Sequence, residues 1–383
     1  MDTGSLSSRQ QKAIDAFIAA GISAVANSGV DRISVSQVTA LAKATRPTFY
    51  SYFGDVDGLL AEIWLTHADA WLLDLANPNF RLASLDKAEQ QKWICLAEIL
   101  AVTHRSPSVR EVVEPMMAAW FKPISKGSEL EILKAVWLVA TRLGIVMSQS
   151  IDPDAAQSAI IDPLVQFTPN EPTVKLEGLK PSALPPIADP KLDDASVENQ
   201  LIQAAISVIS SAGAAAASMT RISRKARLST GSAYPRFSNS DELINSSFDL
   251  AVAEVVRENF SLVGQGGFGP EDFGLFVTAG LQPPRKTWRN FRVEIHIEGR
   301  VNKELKKRLA KSLKSTNSAV AKGLAQFNAP SLTESAVPYL IHTVGIGFAV
   351  LLNAGLPVDK LDHRIVTVEF VKLFGKLKEA IPN

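Results

Sequence analysis

The stretch KATRPTFYSYF, Lys43–Phe53, brings together the cations Lys43 and Arg46, the hydroxyls of Thr45, Thr48 and Ser51, and the phenols of Tyr50 and Tyr52, with no acid among them. All of these groups donate hydrogen bonds, and none stands beside a base that would make it a nucleophile. The chemistry they suit is the binding of oxyanions, phosphate above all. A second such run lies between Ala214 and Ser238. There Arg221, Arg224, Lys225, Arg227 and Arg236 give a local charge of +5 without an acid, interleaved with Ser229, Thr230, Ser232 and Tyr234. Residues for covalent or metal chemistry are not assembled elsewhere. The five histidines lack metal-ligand spacing, no Gly-x-Ser-x-Gly elbow, GxxxxGK loop or dinucleotide-binding glycine pattern occurs, and the lone Cys95 sits in the apolar run WICLAEIL. A single cysteine forms neither an intrachain disulfide nor a cysteine-rich zinc site. Neither an enzyme nor a resident cofactor or metal is expected.

The two basic runs are related. Laying each residue over the one 184 positions later matches Gly29 with Gly213, Ser34 with Ser218, Ala42 with Ala226, Tyr50 with Tyr234, Phe53 with Phe237, Asp57 with Asp241 and Leu59 with Leu243, without a gap. Conservative pairs such as Val38/Ile222, Lys43/Arg227, Thr45/Ser229 and Thr48/Ser232 fill the intervals. A weaker echo at an offset of 201 relates AVWLVATRLGIV, from Ala135, to AVPYLIHTVGIG, from Ala336. The chain reads as two diverged copies of one unit. Between them, residues 167–194 carry six prolines and no helical apolar period, which marks a linker.

Apolar residues recur at helical spacing on both sides of that linker, so an all-α architecture is expected. The elements that must hold the first run are short helices with readable ends. One helix runs over about 9–27 and stops at Gly29, a left-handed C-cap. Ser34 and Gln37 form a capping box opening a second helix through Ala42. Thr45 caps a third over 46–52, where Pro47 is tolerated in the first turn, and Pro235 is expected to end its counterpart in the second copy early. Helix, tight turn, helix is the plan in which the second helix enters the major groove of DNA. Phe49 and Phe53 are expected to face the core.

ISVSQVTALAKATRPTFYSYFGDVDGLL and ASMTRISRKARLSTGSAYPRFSNSDELI both resemble the DNA-binding segment of TetR-family repressors. The first copy supplies Val38, Ala42, Thr45, Thr48, Tyr50, Phe53 and Leu59 at matching places; the second supplies Ile222, Ala226, Ser229, Gly231, Ser232, Tyr234, Phe237 and Leu243. The resemblance implies helix-turn-helix heads on helical bodies that bind a small, often apolar effector and dimerise through their last two helices, here in a double-length form. The residues expected at the duplex are Ser34, Lys43, Thr45, Arg46, Thr48, Tyr50 and Tyr52 in one head. In the other they are Arg221, Arg224, Lys225, Arg227, Ser229, Thr230, Ser232, Tyr234 and Arg236. Two departures stand out. Lys43 and Arg227 occupy the turn where the family usually has glycine, and the histidine usual before the closing Phe is Tyr52 in one copy and Arg236 in the other.

The expected organisation is a first head at 1–54, a first body at 55–166, the linker at 167–194, a second head at 195–238 and a second body at 239–383. Helices around Leu133–Met147 and Tyr339–Leu352, with Gly144, Gly345 and Gly347 permitting close approach, would pair to make an intrachain pseudo-dimer. The second body is longer, with the excess placed near NKELKKRLAKSLKSTNSAVAKGLAQF, and an effector pocket is expected there, lined by Phe276, Trp288, Phe291, His296, Tyr339 and His342. A hydrophobic share of 46% with 21% charged residues and a net charge of +1 fits a globular chain, so any affinity for DNA must come from local clustering. The absence of a signal-like N-terminus or a convincing membrane span leads to a cytoplasmic expectation. The reading is a DNA-binding regulator, a repressor released by an apolar effector. The competing class is a helical protein-interaction scaffold whose heads no longer touch DNA.

Overall fold

The computed structural model describes residues 7–151, 192, 196–263, 270–324 and 336–365, with side chains described except at 255–273, 275–276 and 316–341. Every regular element among them is helical. Seven α-helices precede the linker: α1 (Ser8–Ser28), α2 (Val35–Leu41), α3 (Arg46–Phe53), α4 (Val56–Ala76), α5 (Lys87–Val102), α6 (Pro107–Ile124) and α7 (Glu129–Ser148). Eight follow it: α8 (Val197–Ala212), α9 (Met219–Lys225), α10 (Thr230–Ala233), α11 (Ser240–Val263), α12 (Pro270–Leu281), α13 (Lys286–Val301), α14 (Lys303–Leu324) and α15 (Ala336–Asn353). The chain divides into two compact units, Met1–Trp120 with Asn353–Gly355, and Phe121–Leu352 with Leu356–Asn383. The first of these ends ahead of α7, so α7 belongs to the same unit as the second copy. The expected linker falls outside the described residues apart from Leu192.

In the first unit α1 buries Phe17, Ile18, Ala24 and Val25, and α2, α3 and α4 close over them with Val38, Phe49, Leu59 and Ile63. Phe17 meets Phe49 and Phe53 edge-on, each pair of ring centroids 5.6 Å apart. This aromatic triad fixes the angle of α3. Phe49 is fully buried, whereas Phe53 keeps some exposure. Cys95 is buried on α5. Three polar contacts tie α5 and the turn after it to the head: Val30 N–H donates to Glu98 at 2.8 Å, Arg105 pairs with Asp31 at 2.5 Å, and Ser106 Oγ donates to Asp57 at 2.7 Å. Asp31 has no acidic counterpart in the second copy, where Ala215 stands at that place.

The second copy rebuilds the arrangement with smaller side chains. Leu201 takes the place of Phe17, Ala233 that of Phe49, and Ile222, Phe237 and Leu243 complete a core that Phe291 and Ile295 of α13 cap from the body. Close approach of α7 and α15 is permitted by two glycines. A Cβ on Gly144 would stand 1.8 Å from the Thr343 carbonyl oxygen, and one on Gly347 would stand 1.7 Å from that of Ala140. Gly345, expected at the same seam, faces Arg292 of α13 instead. Trp137 of α7 packs edge-on against Phe348 at 5.5 Å and donates its indole N–H to Nδ1 of the fully buried His363 at 3.0 Å.

The extra length of the second body is only partly where the sequence placed it. Helix α14 has 22 residues against 18 in α6, but α12 adds 12 residues where the first copy has a three-residue 3-10 turn, Leu82–Ser84.

Candidate nucleic-acid interface

The two heads share the same helix caps and the same turn. Ser34 accepts a hydrogen bond from the Gln37 backbone N–H at the start of α2, and Ser218 accepts from that of Arg221 at the start of α9. Thr45 and Ser229 accept in the same way from Thr48 and Ser232, and each cap hydroxyl also bonds its partner's hydroxyl, at 2.8 Å and 2.9 Å. Each such cap satisfies an N–H that would otherwise lack an intrahelical acceptor, and is worth about 1 kcal/mol. Only half of the capping box expected at Ser34 forms, because the Gln37 side chain turns away to donate to Ser28 Oγ at 2.9 Å. Gly29 and Gly213 do adopt positive φ, 81° and 84°, but with ψ of 149° and 158°. That is an extended glycine conformation rather than the left-handed helical cap that was expected.

The turn between the paired helices explains the departure from glycine. Lys43 and Arg227 have φ of 50° and 59°, the two non-glycine residues with positive φ among those described. Both sit in the same motif. Lys43 N–H donates to the Ala40 carbonyl and Ala44 N–H to that of Thr39; Arg227 and Leu228 repeat this with Arg224 and Ser223. This doubled closure, six residues to one and five to two, satisfies the carbonyls at the ends of α2 and α9. A left-handed conformation costs an L-residue about 1–2 kcal/mol, so each head carries a cation where glycine would be more stable.

The helix after each turn differs between the heads. Helix α3 runs for eight residues, while α10 has four, with Pro235 following it closely as the sequence suggested. Tyr50 and Tyr234 stand 52% and 57% exposed, so neither phenol serves the core. Lys43, Thr45 and Arg46 are exposed, Thr48 and Tyr52 half-buried. Arg46 is committed in part to its own head, donating to Ser36 Oγ at 2.6 Å. In the second head Arg221, Arg224, Lys225, Arg227 and Arg236 are all exposed, and none forms an ion pair among the described residues. Arg236 donates to the Ser232 carbonyl at 2.9 Å, which leaves its charge uncompensated. Ser34 and Ser229 are exposed, Thr230 and Ser232 half-buried. The arrangement presents hydroxyls, phenols and unpaired cations around two helix-turn-helix units, with no carboxylate among the residues just named to oppose an anionic strand.

The residues expected around an effector fall in different places. Phe276 and Tyr339 lie outside the described side chains. Trp288 and Phe291 stack at 5.7 Å; Phe291 belongs to the core against α8, and Trp288 edges an open cleft of about 500 Å³ beside Gln203, Ser207, Lys225 and Glu254. Leu192 borders the same cleft, its N–H donating to Gln203 Oε1 at 3.2 Å. His296 and His342 meet each other instead, Nε2 to Nε2 at 3.0 Å, with Arg292 donating to His342. Burial, and secondarily the Arg292 charge, lowers His296 to about 4 and His342 well below its ordinary value. Arg292 was not singled out from sequence, and nothing in the pattern marks it on a helix that also carries Lys286, Arg289, Glu294, Glu298 and Arg300.

No family model matches the chain, and no curated protein matches it. Among solved structures it is similar to a transcriptional regulator from Rhodococcus sp. Rha1, with 18% identity and a TM-score of 0.40 over 49% of this chain and 100% of that one.

Proposed function

We propose that the chain is a DNA-binding transcriptional regulator carrying two TetR-like helix-turn-helix heads in one polypeptide, the α7 and α15 helices pairing as the partners of an intrachain pseudo-dimer. The observation that carries this reading is the duplicated turn. A cation in left-handed backbone recurs 184 positions apart, flanked by matching hydroxyl caps and an exposed tyrosine. Strain of this kind persists where function uses it, and contact with phosphate is the use that fits a solvent-facing cation beside a helix N-terminus. Because α3 and α10 differ in length and side chains, the two heads read unlike half-sites, and the regulator acts as a repressor released by a small effector.

Binding of the full chain to mixed-sequence duplex DNA tests this reading directly. Affinity falls steeply with salt, each phosphate contact contributing a slope of about −0.9 in log K against log salt, and Arg221→Gln with Arg224→Gln lowers both affinity and slope. Selection from a random duplex pool yields an asymmetric site. Affinity indifferent to salt and to these substitutions supports the scaffold reading, which the four-residue α10 would suit if the second head no longer reads bases.

A further inference from the structure

The two heads place their cations differently. In the second, Arg221, Arg224 and Lys225 recur at i, i+3 and i+4 along α9, so the three exposed side chains share one face of that helix. Arg227 lies in the turn and Arg236 beyond Pro235, which leaves α10 itself without a charge. The first head holds only Lys43 and Arg46 between Ser34 and Phe53. There the places of Arg221, Arg224, Lys225 and Arg236 are taken by Gln37, Ala40, Leu41 and Tyr52. In a docked helix-turn-helix the first helix of the pair crosses the sugar-phosphate backbone while the second enters the major groove. The basic face of α9 therefore meets phosphates, which carry no sequence information.

The helices that would enter the groove differ in the opposite sense. Strong discrimination of a base pair comes from a side chain that makes two hydrogen bonds to one base edge, as Arg does with O6 and N7 of guanine. Of the four residues of α10, Gly231 has no side chain, Ala233 is buried, and the Ser232 hydroxyl is bonded to that of Ser229. Thr230 and the following Tyr234 remain, each with a single hydroxyl. In the first head Arg46 stands at the place of Thr230, exposed, as the first residue of the eight-residue α3. Base-edge contacts come from this end of a recognition helix. Arg46 Nη2 donates to Ser36 Oγ at 2.6 Å, which holds the side chain in place. The two hydrogens of Nη2 lie on different edges of the guanidinium, one beside Nε–H and the other beside Nη1. Giving one to Ser36 therefore leaves one two-point donor complete.

We infer that the first head supplies sequence discrimination, with Arg46 reading a guanine, and that the second head is a clamp on the duplex backbone that does not read bases. The inference rests on the DNA-binding reading and narrows its unlike half-sites to one fixed in sequence and one required only as duplex. Specificity and affinity are then carried by different halves of the chain.

The full chain is used to select duplexes from a random pool. Its binding to the selected duplex and to mixed-sequence duplex is then compared with that of Arg46→Lys and of a variant combining Arg221→Gln, Arg224→Gln and Lys225→Gln. The selected positions fall in one half-site and include a guanine. Arg46→Lys keeps the charge but not the two-point donor, so it lowers the preference for that guanine by about fivefold or more and leaves the salt slope unchanged. The combined variant loses affinity for both duplexes by the same factor, keeps the preference, and has a salt slope shallower by about 2 to 3. Two half-sites each fixed in sequence, no preferred sequence at all, a guanine preference that survives in Arg46→Lys, or a preference that weakens in the combined variant overturns the inference. All the substituted side chains are exposed, and if a variant nonetheless fails to fold, the selection with the wild-type chain decides alone. Salt-dependent binding to a site with two fixed halves leaves the DNA-binding reading standing, whereas the absence of duplex binding by the wild-type chain refutes that reading itself.

Discussion

At the scale of single residues, the two left-handed cations separate stability from function. Replacing Lys43 or Arg227 with glycine removes a backbone penalty of about 1 kcal/mol and one unpaired charge together. Each variant should therefore resist urea better than the parent while binding duplex DNA more weakly and with a shallower salt slope; unchanged affinity would mean that the cation has no part in binding. The buried His363 gives a prediction of a different kind. Burial lowers it to about 4, and its Nδ1 must stay unprotonated to accept from Trp137 while Nε2 donates to the Val358 carbonyl. The unfolded chain takes up this proton first as pH falls. The stability is thus fully present above the unfolded value of 6.5 and is lost as pH drops towards about 4, on the order of 3 kcal/mol across that window. Urea midpoints measured at about pH 7.5 and about pH 5 should show the loss in the wild-type chain and a smaller one in His363→Gln, whose amide can make both hydrogen bonds without titrating.

At the scale of elements, the caps and turns were legible because they are local. Ser34, Thr45, Ser218 and Ser229 need only the backbone three residues on, and Pro235 limits α10 whatever surrounds it. The half-formed capping box shows where local reading stops: Gln37 has two possible partners, and Ser28, nine residues away, takes it. The extra helix α12 was missed because the repeat register locates an insertion only to within the unmatched interval. The α7–α15 seam was legible as small residues in apolar stretches, but which glycines lie at the crossing depends on helix rotation. Gly144 and Gly347 do, and Gly345 does not. Gly144→Ala or Gly347→Ala should destabilise the chain by about 1–3 kcal/mol, the usual cost of overpacking, and lower its melting temperature, because the atoms each new methyl meets are backbone that cannot rotate away. Gly345→Ala should have a smaller effect, since it meets the end of a flexible side chain.

At the scale of the whole molecule, a net charge of +1 conceals a concentration of five unpaired cations in one head. If one polypeptide does the work that two subunits perform in a homodimeric repressor, a single chain should occupy each selected duplex, with a binding curve that fits one protein per site across dilution. Mass measurement of the complex checks this, and two chains per site would point to association through one type of head. The sequence by itself determined the helical class, the 184-residue repeat, the caps and the unusual cations at the turns, because periodicity, capping and charge are properties of residues close together in the chain. Tertiary structure decided that Gly345 faces Arg292 rather than α7, that His296 and His342 spend their polar atoms on each other and on Arg292, and that α7 joins the unit of the second copy. Those outcomes depend on which faces of distant helices meet, and a pattern of residues along one helix does not specify the face its partner presents.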